Sequence, residues 1–187
     1  MKKIIINEIN NHIKVAKLLG NLTDEITYAA QLCIDCLNQD GKILIFGNGG
    51  SAADSQHIAA ELVGRYKVNR KGLPAIALTT DSSSLTAIGN DFGYQHVFDR
   101  QLEALANEGD VVIGISTSGK SENVINALQL ASKLNCITIG FSGKDGGEMS
   151  KICHINLIAP SNDIPRIQEI HIVIGHIICH LIDQEFK

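Results

Sequence analysis

The chain lacks a basic stripe. Its 16 Lys and Arg stand against 20 Asp and Glu, a formal net charge of -4, so the clustered cations that drive binding to a nucleic-acid backbone are missing, and any phosphate must be met locally. It also lacks an uninterrupted apolar run of about 18 residues. The nearest stretch, 167–182, holds Glu169 and three histidines, and no membrane span is expected. The opening MKKIIINEINNHIKVAKLLG has two lysines and a short apolar run, but Asn7, Glu8 and Asn10 break it before a signal-peptide core is complete. An amphipathic helix of a cytoplasmic protein is expected instead. A disulfide framework is missing too, because the five cysteines, at 33, 36, 136, 153 and 179, are odd in number and scattered. Cys33-Ile-Asp-Cys36 has CxxC spacing inside a helical pattern with no second pair, and buried thiols are expected there.

What is present is one ordinary globular core. The 187 residues, 44% hydrophobic and 19% charged, contain no linker, repeat or low-complexity segment, and one domain over 1–187 follows. Residues 3–19 and 22–39 carry apolar side chains at helical spacing, such as Ile9, Ile13, Ala16 and Leu19 in the first and Ile26, Ala29, Ala30, Cys33 and Leu37 in the second. They form a helical extension over about 1–39. An α/β core over about 40–187 follows, with short β-rich runs at 42–46, 75–78, 111–115, 136–141 and 154–158 alternating with helical stretches. That pattern predicts a doubly wound, mostly parallel, five-stranded sheet flanked by helices. In such sheets ligands bind beyond the carboxyl ends of the strands.

Two loops fall at those ends. Gly47-Asn48-Gly49-Gly50-Ser51 follows the first strand and precedes a helix, where glycine backbone and free N–H groups suit an anion. It is neither GxGxxG nor a Walker loop, and a simple tight turn reads the same way. The second loop, Ser116-Thr117-Ser118-Gly119-Lys120-Ser121-Glu122-Asn123, places four hydroxyls at a strand-to-helix junction. These are neutral donors able to surround a phosphate without a basic patch. A helix cap would account for Ser121 but not for the other three.

His57 and Glu61 are i and i+4 on the helix after the glycine loop. They share one face and can hold a divalent cation, although a salt-bridged histidine is the commoner reading of an isolated pair. Partners are offered by the helix expected over 163–186, which is apolar nearly all round, with Gln168, His171, His176 and His180 as its polar exceptions. Spacing alone does not select among the three histidines.

These residues resemble the bacterial phosphoheptose isomerases, or sedoheptulose 7-phosphate isomerases, built on the sugar-isomerase (SIS) fold. The resemblance covers essentially the whole chain, including both N-terminal helices. It rests on Gly47-Asn-Gly-Gly-Ser51, His57-Ile-Ala-Ala-Glu61-Leu-Val-Gly-Arg-Tyr66, Gly89-Asn-Asp-Phe-Gly93, Ile115-Ser-Thr-Ser-Gly119, Gly143-Lys-Asp-Gly-Gly147 and Arg166-Ile-Gln-Glu-Ile-His171. It implies a zinc site of His57, Glu61, Gln168 and His176, with His176 chosen by its distance from Arg166-Ile-Gln168. It implies substrate contacts from Asn48, Gly49, Gly50, Glu61, Asn90, Asp91, Ser116, Thr117, Ser118, Ser121 and Gln168, with Glu61 and His176 as catalytic base and acid. The implied substrate is a phosphorylated heptose, and the implied assembly is a homotetramer joined partly through the N-terminal helices, with active sites at subunit interfaces. Some SIS proteins that resemble this chain over much of their length are non-catalytic assembly factors for the replication initiator, and these lack counterparts of Glu61 and His176. A different sugar-phosphate isomerase or a regulatory sugar-sensing domain on the same scaffold is a second alternative, and a regulatory domain would need the phosphate loop but not all four zinc-site residues.

Overall fold

The computed structural model describes all 187 residues, Met1–Lys187. Two helices, α1 (Lys2–Leu18) and α2 (Thr23–Asn38), precede the sheet. The chain then runs β1 (Ile43–Gly47), α3 (Gly50–Val63), β2 (Ala75–Ala77), α4 (Ser82–Asp91), α5 (Asp99–Leu105), β3 (Val111–Ile115) and α6 (Glu122–Lys133). It ends with β4 (Ile137–Gly143), α7 (Met149–Ile152), β5 (Ile155–Ala159) and α8 (Ile164–Glu185). All neighbouring strands are parallel, in the order β2-β1-β3-β4-β5. The expected sheet is therefore present, its strands displaced by a residue or two from the apolar runs.

Alternation along the strands feeds two cores, because successive side chains point to opposite faces. Ile43, Ile45, Val111, Ile113, Ile115, Ile139 and Phe141 face α2, α3 and α8. Leu44, Phe46 and Val112 face α5, α6 and α7, joined by Phe98, Leu102, Val124, Leu128 and Met149. Burying each such side chain stabilises by about 1.5–3 kcal/mol relative to exposure, so the sheet is a rigid platform for the loops at its carboxyl edge. No helix is long and apolar enough to cross a membrane. All five cysteines are free thiols, and Cys33 and Cys36 are buried in α2 as expected of a structural pair.

The expectation that the last helix is buried nearly all round holds on one face only. Ile167, Ile170, His171, Ile174, Gly175, Ile178, Cys179 and Ile182 are buried. Ile172, Val173, His176, Ile177, His180 and Leu181 form a half-buried stripe that nothing else in the chain covers fully. α1 goes further: it has no buried residue, and Ile4, Ile5, Ile6, Ile9 and Ile13 are 65, 58, 56, 53 and 44% exposed.

Candidate active site

β1 and β3 are adjacent but not consecutive, so the chain leaves them toward opposite sides of the sheet and a crevice opens at their carboxyl ends. The register pairs Gly47 with Ile115, which brings Asn48 and Ser116 to the same edge. Gly49, at φ +57°, makes the turn between β1 and α3 in a conformation that suits glycine. The Asn48 and Asn123 side-chain amides exchange two bonds, each of 2.9 Å. The Tyr94 hydroxyl donates to Asn48 Oδ1 at 3.0 Å, so that oxygen is saturated and Asn48 has an amide hydrogen left for a ligand.

The serine loop is arranged around a point rather than along the helix. Ser121 is the N-cap residue of α6 but makes no capping bond. Its Oγ instead lies 2.9 Å from Ser116 Oγ, which is 3.4 Å from Ser118 Oγ. Ser118 Oγ also accepts the Lys120 N–H at 3.2 Å. Three hydroxyls therefore converge in front of a helix N-terminus, and the capping role does not explain them. Thr117 is half-buried beside them. The loop is held from behind by the Gly143-Lys-Asp-Gly-Gly147 turn: a Cβ at Gly119 (φ +63°) would collide with the Gly146 carbonyl, and one at Gly147 (φ +54°) with Gly119.

On the α3/α8 side, His57 Nε2 lies 3.1 Å from Glu61 Oε1 and 3.0 Å from His176 Nε2. The three ligand atoms are within 4.8 Å of one another. Helix packing produces this: a Cβ at Gly175 would come within 2.6 Å of Ile58 Cδ1, so the missing side chain beside His176 lets α8 approach α3 beside His57. The Tyr66 ring stacks on the His176 ring at 5.4 Å and 24°. An imidazole nitrogen offers one in-plane site, either a hydrogen or a lone pair, so His57 Nε2 cannot direct a full bond at both neighbours. Three lone pairs aimed at one shared cation would satisfy all three groups, and imidazole with carboxylate is a donor set zinc accepts. The residues fit a metal.

The other two α8 histidines stand outside this cluster. His171 is fully buried, with Nε2 2.8 Å from the Ser142 carbonyl. Burial pulls it down to about 4, outweighing that bond, so it is a neutral packing residue. His180 meets Tyr66 edge-on at 6.1 Å. Gln168 also lies apart within one chain. Eight positions before His176, it is about 12 Å away along the helix, and its amide packs over Gly50 at the start of α3. Asn90 and Asp91 are exposed at the end of α4, Asn90 Nδ2 donating to Asp91 Oδ1 at 2.7 Å.

A hollow of about 660 Å³, lined partly by Asp40, Lys42, Lys71, Pro74 and Phe186, lies at the amino ends of the strands. Lys42 there is tied to Asp110 at 2.6 Å, and the lining holds neither an imidazole nor a hydroxyl, so the polar carboxyl edge, where both kinds of group converge, is the better candidate. Sequence reasoning missed Tyr94, which reaches Asn48 only because the chain reverses at Gly93 (φ +91°). It also missed Asn123, whose position in the first turn after the serine loop was a usable signal.

The SIS-domain family model matches residues 8–143. The phosphoheptose isomerase of Aliarcobacter butzleri is 58% identical, covering 100% of both chains. Among solved structures, phosphoheptose isomerase GmhA from Neisseria gonorrhoeae superposes with a TM-score of 0.93 at 43% identity, covering 98% of each chain. That from Francisella tularensis superposes with a TM-score of 0.94 at 36% identity, covering 97% of each.

Proposed function

The chain belongs to the SIS-domain phosphoheptose isomerases, and from that premise we propose that it converts sedoheptulose 7-phosphate into D-glycero-D-manno-heptose 7-phosphate through a cis-enediol, the first step of activated-heptose synthesis. The observation that carries the chemistry is the convergence of Glu61 and His176 on one point beside His57. An aldose-ketose isomerisation needs a base to carry a proton between adjacent carbons and an acid at the oxygens. Glu61 takes the proton from C1 while His176 protonates O2, giving the enediol. Glu61 then returns the proton to C2 as His176 takes the one on O1, leaving the aldehyde. Oε1 of Glu61 faces His57, which leaves Oε2 for the proton.

His57, Glu61 and His176 would hold zinc, with Gln168 added to the set by the resemblance alone, and because one ring nitrogen cannot carry a metal and a proton at once, His176 would exchange its ligand and acid roles during turnover. The metal, when bound, supplies Lewis acidity at the two reacting oxygens. Ser116, Ser118 and Ser121, with Thr117 beside them, bind the phosphate and fix the sugar's orientation, a contribution of position more than of chemistry. Asn48 orients a sugar oxygen with its remaining amide hydrogen, and Gly49 and Gly50 let the backbone approach. Asn90 and Asp91 contact the substrate's far side. The non-catalytic binding-protein reading is not favoured, since it has no use for Glu61 and His176.

A homotetramer is part of the same reading, supported by the uncovered isoleucines of α1 and the half-buried stripe of α8. A cytoplasmic location is supported by five free thiols. The test is Glu61→Gln. The amide is isosteric and cannot take the proton, so turnover followed by NMR should fall by about 10²–10⁴-fold, the scale of a lost general base, while circular dichroism and substrate binding stay near wild type. Near-normal turnover would refute the assignment of Glu61.

A further inference from the structure

Glu61 and His176 sit on different helices, and isomerisation needs them in one fixed relation. Gly175 lets α3 and α8 touch, but an apolar contact does not fix how far one helix has slid or turned against the other. A directed connection does exist, two turns beyond His176 on nearly the same side of α8, at Asp183. Its side chain is fully buried. Asp183 Oδ2 accepts the Lys67 N–H at 2.7 Å and the Val68 N–H at 3.0 Å, and Oδ1 accepts Arg70 Nε at 2.7 Å.

The Arg70 side chain is 1% exposed. Its other nitrogens reach back to the last turn of α3. Nη2 donates to the Glu61 carbonyl at 3.1 Å, and Nη1 donates to the Leu62 carbonyl at 2.8 Å and the Lys71 carbonyl at 3.1 Å. Two of the carbonyls that lack an intrahelical partner at the end of α3 thus accept from a guanidinium anchored on α8: that of Leu62, which also accepts the Leu73 N–H at 3.0 Å, and that of Glu61. The same carboxylate holds the amide next to Tyr66, whose ring lies on His176. Both ends of the connection thus reach a group placed at the reaction.

A fully buried ion pair is a poor source of net stability, because desolvating two charges offsets most of their attraction. What its directed bonds do fix is geometry, and the planar fork of arginine serves the carboxylate and three separate carbonyls at once.

We propose that Arg70 and Asp183 are positioning residues for the isomerisation, setting the end of α3 against α8 so that the Glu61 carboxylate and the His176 ring, backed by Tyr66, are held at one point. The proposal rests on the reading that Glu61 and His176 move the protons.

The test compares Arg70→Lys, which keeps the charge but loses the fork, with Asp183→Asn, which keeps the volume and one acceptor. Glu61→Gln is included in the series. Leu102→Ala, in the core on the opposite face of the sheet, is the control for stability loss alone. Each is assayed well below its own unfolding midpoint, with kcat and KM for sedoheptulose 7-phosphate measured separately. A positioning role predicts kcat at least tenfold lower in Arg70→Lys and in Asp183→Asn, KM within about twofold of wild type, and wild-type kcat in Leu102→Ala despite its lower midpoint. Should Arg70→Lys fail to fold, Asp183→Asn alone decides. Wild-type kcat with only a lowered midpoint, or a raised KM with kcat intact, overturns the proposal provided Glu61→Gln is inactive. An active Glu61→Gln would instead overturn the reading on which it rests.

Discussion

His171 shows how a histidine in a candidate site can be assigned by burial. It lies three residues from Gln168 and five from His176, in the part of the sequence most crowded with candidate ligands, yet it is fully enclosed and bonded to the Ser142 carbonyl. Burial lowers it from 6.5 to about 4, so the unfolded chain binds a proton over a pH window in which the folded chain does not. The stability this residue contributes is complete above about pH 6.5 and is lost as pH falls toward about 4, a change of about 3 kcal/mol. Urea denaturation at pH 7, 5.5 and 4 should show the gap between wild type and His171→Gln closing by about that amount as the medium is acidified. A constant gap would mean that His171 is not buried neutral. Asp183 adds to the acid limb at lower pH. Burial pushes its carboxyl up, but the Lys67 and Val68 amides and the Arg70 guanidinium together outweigh this and hold it below the usual carboxylate range. Its stabilisation is therefore present above about pH 3.9 and is lost only below that.

At the scale of elements, the site is made by two junctions and one helix pair, and these differ in how readable they were. Glycine and hydroxyl runs after β1 and β3 could be seen as ligand loops because strand order and strand-end chemistry are local in sequence. The meeting of His57 with His176 is not readable from spacing and is implied only by the family resemblance. It depends on the parallel packing of α3 and α8 across 119 positions and on Gly175 being small enough for Ile58 to lie against it. The 163–186 pattern reads as buried nearly all round for a related reason: a helix whose outer face is only half covered by its own chain carries the same residue types as one buried in a core. The Gly143-Lys-Asp-Gly-Gly147 turn was recognisable as a motif, but its use becomes visible only where it backs Gly119. Gly119→Ala forces a side chain into a φ of +63° and into the Gly146 carbonyl, a strain of about 1–2 kcal/mol before the collision is counted. It should displace the serine loop, lowering kcat/KM at least tenfold, chiefly through KM, with the His57–Glu61–His176 cluster untouched. An unchanged KM would show that the phosphate is held elsewhere.

The whole molecule is built on a rigid parallel sheet with a polar carboxyl edge, and its longest run of exposed apolar side chains lies on α1. An exposed isoleucine face this long is unusual for a chain that works alone, and the tetramer proposed above would cover it. Placing a charge there, as in Ile5→Asp combined with Ile9→Asp, should shift the mass measured by light scattering from about four chains toward one or two. A wild-type chain that elutes as a monomer at micromolar concentration would remove that part of the account. Whether His57, Glu61 and His176 form a metal-dependent isomerisation centre is decided by following sedoheptulose 7-phosphate by NMR with the enzyme as prepared, after chelation and after zinc is restored. Chelation should abolish turnover and zinc should recover it; no turnover from folded protein in any of the three, or turnover indifferent to chelation, would overturn that assignment.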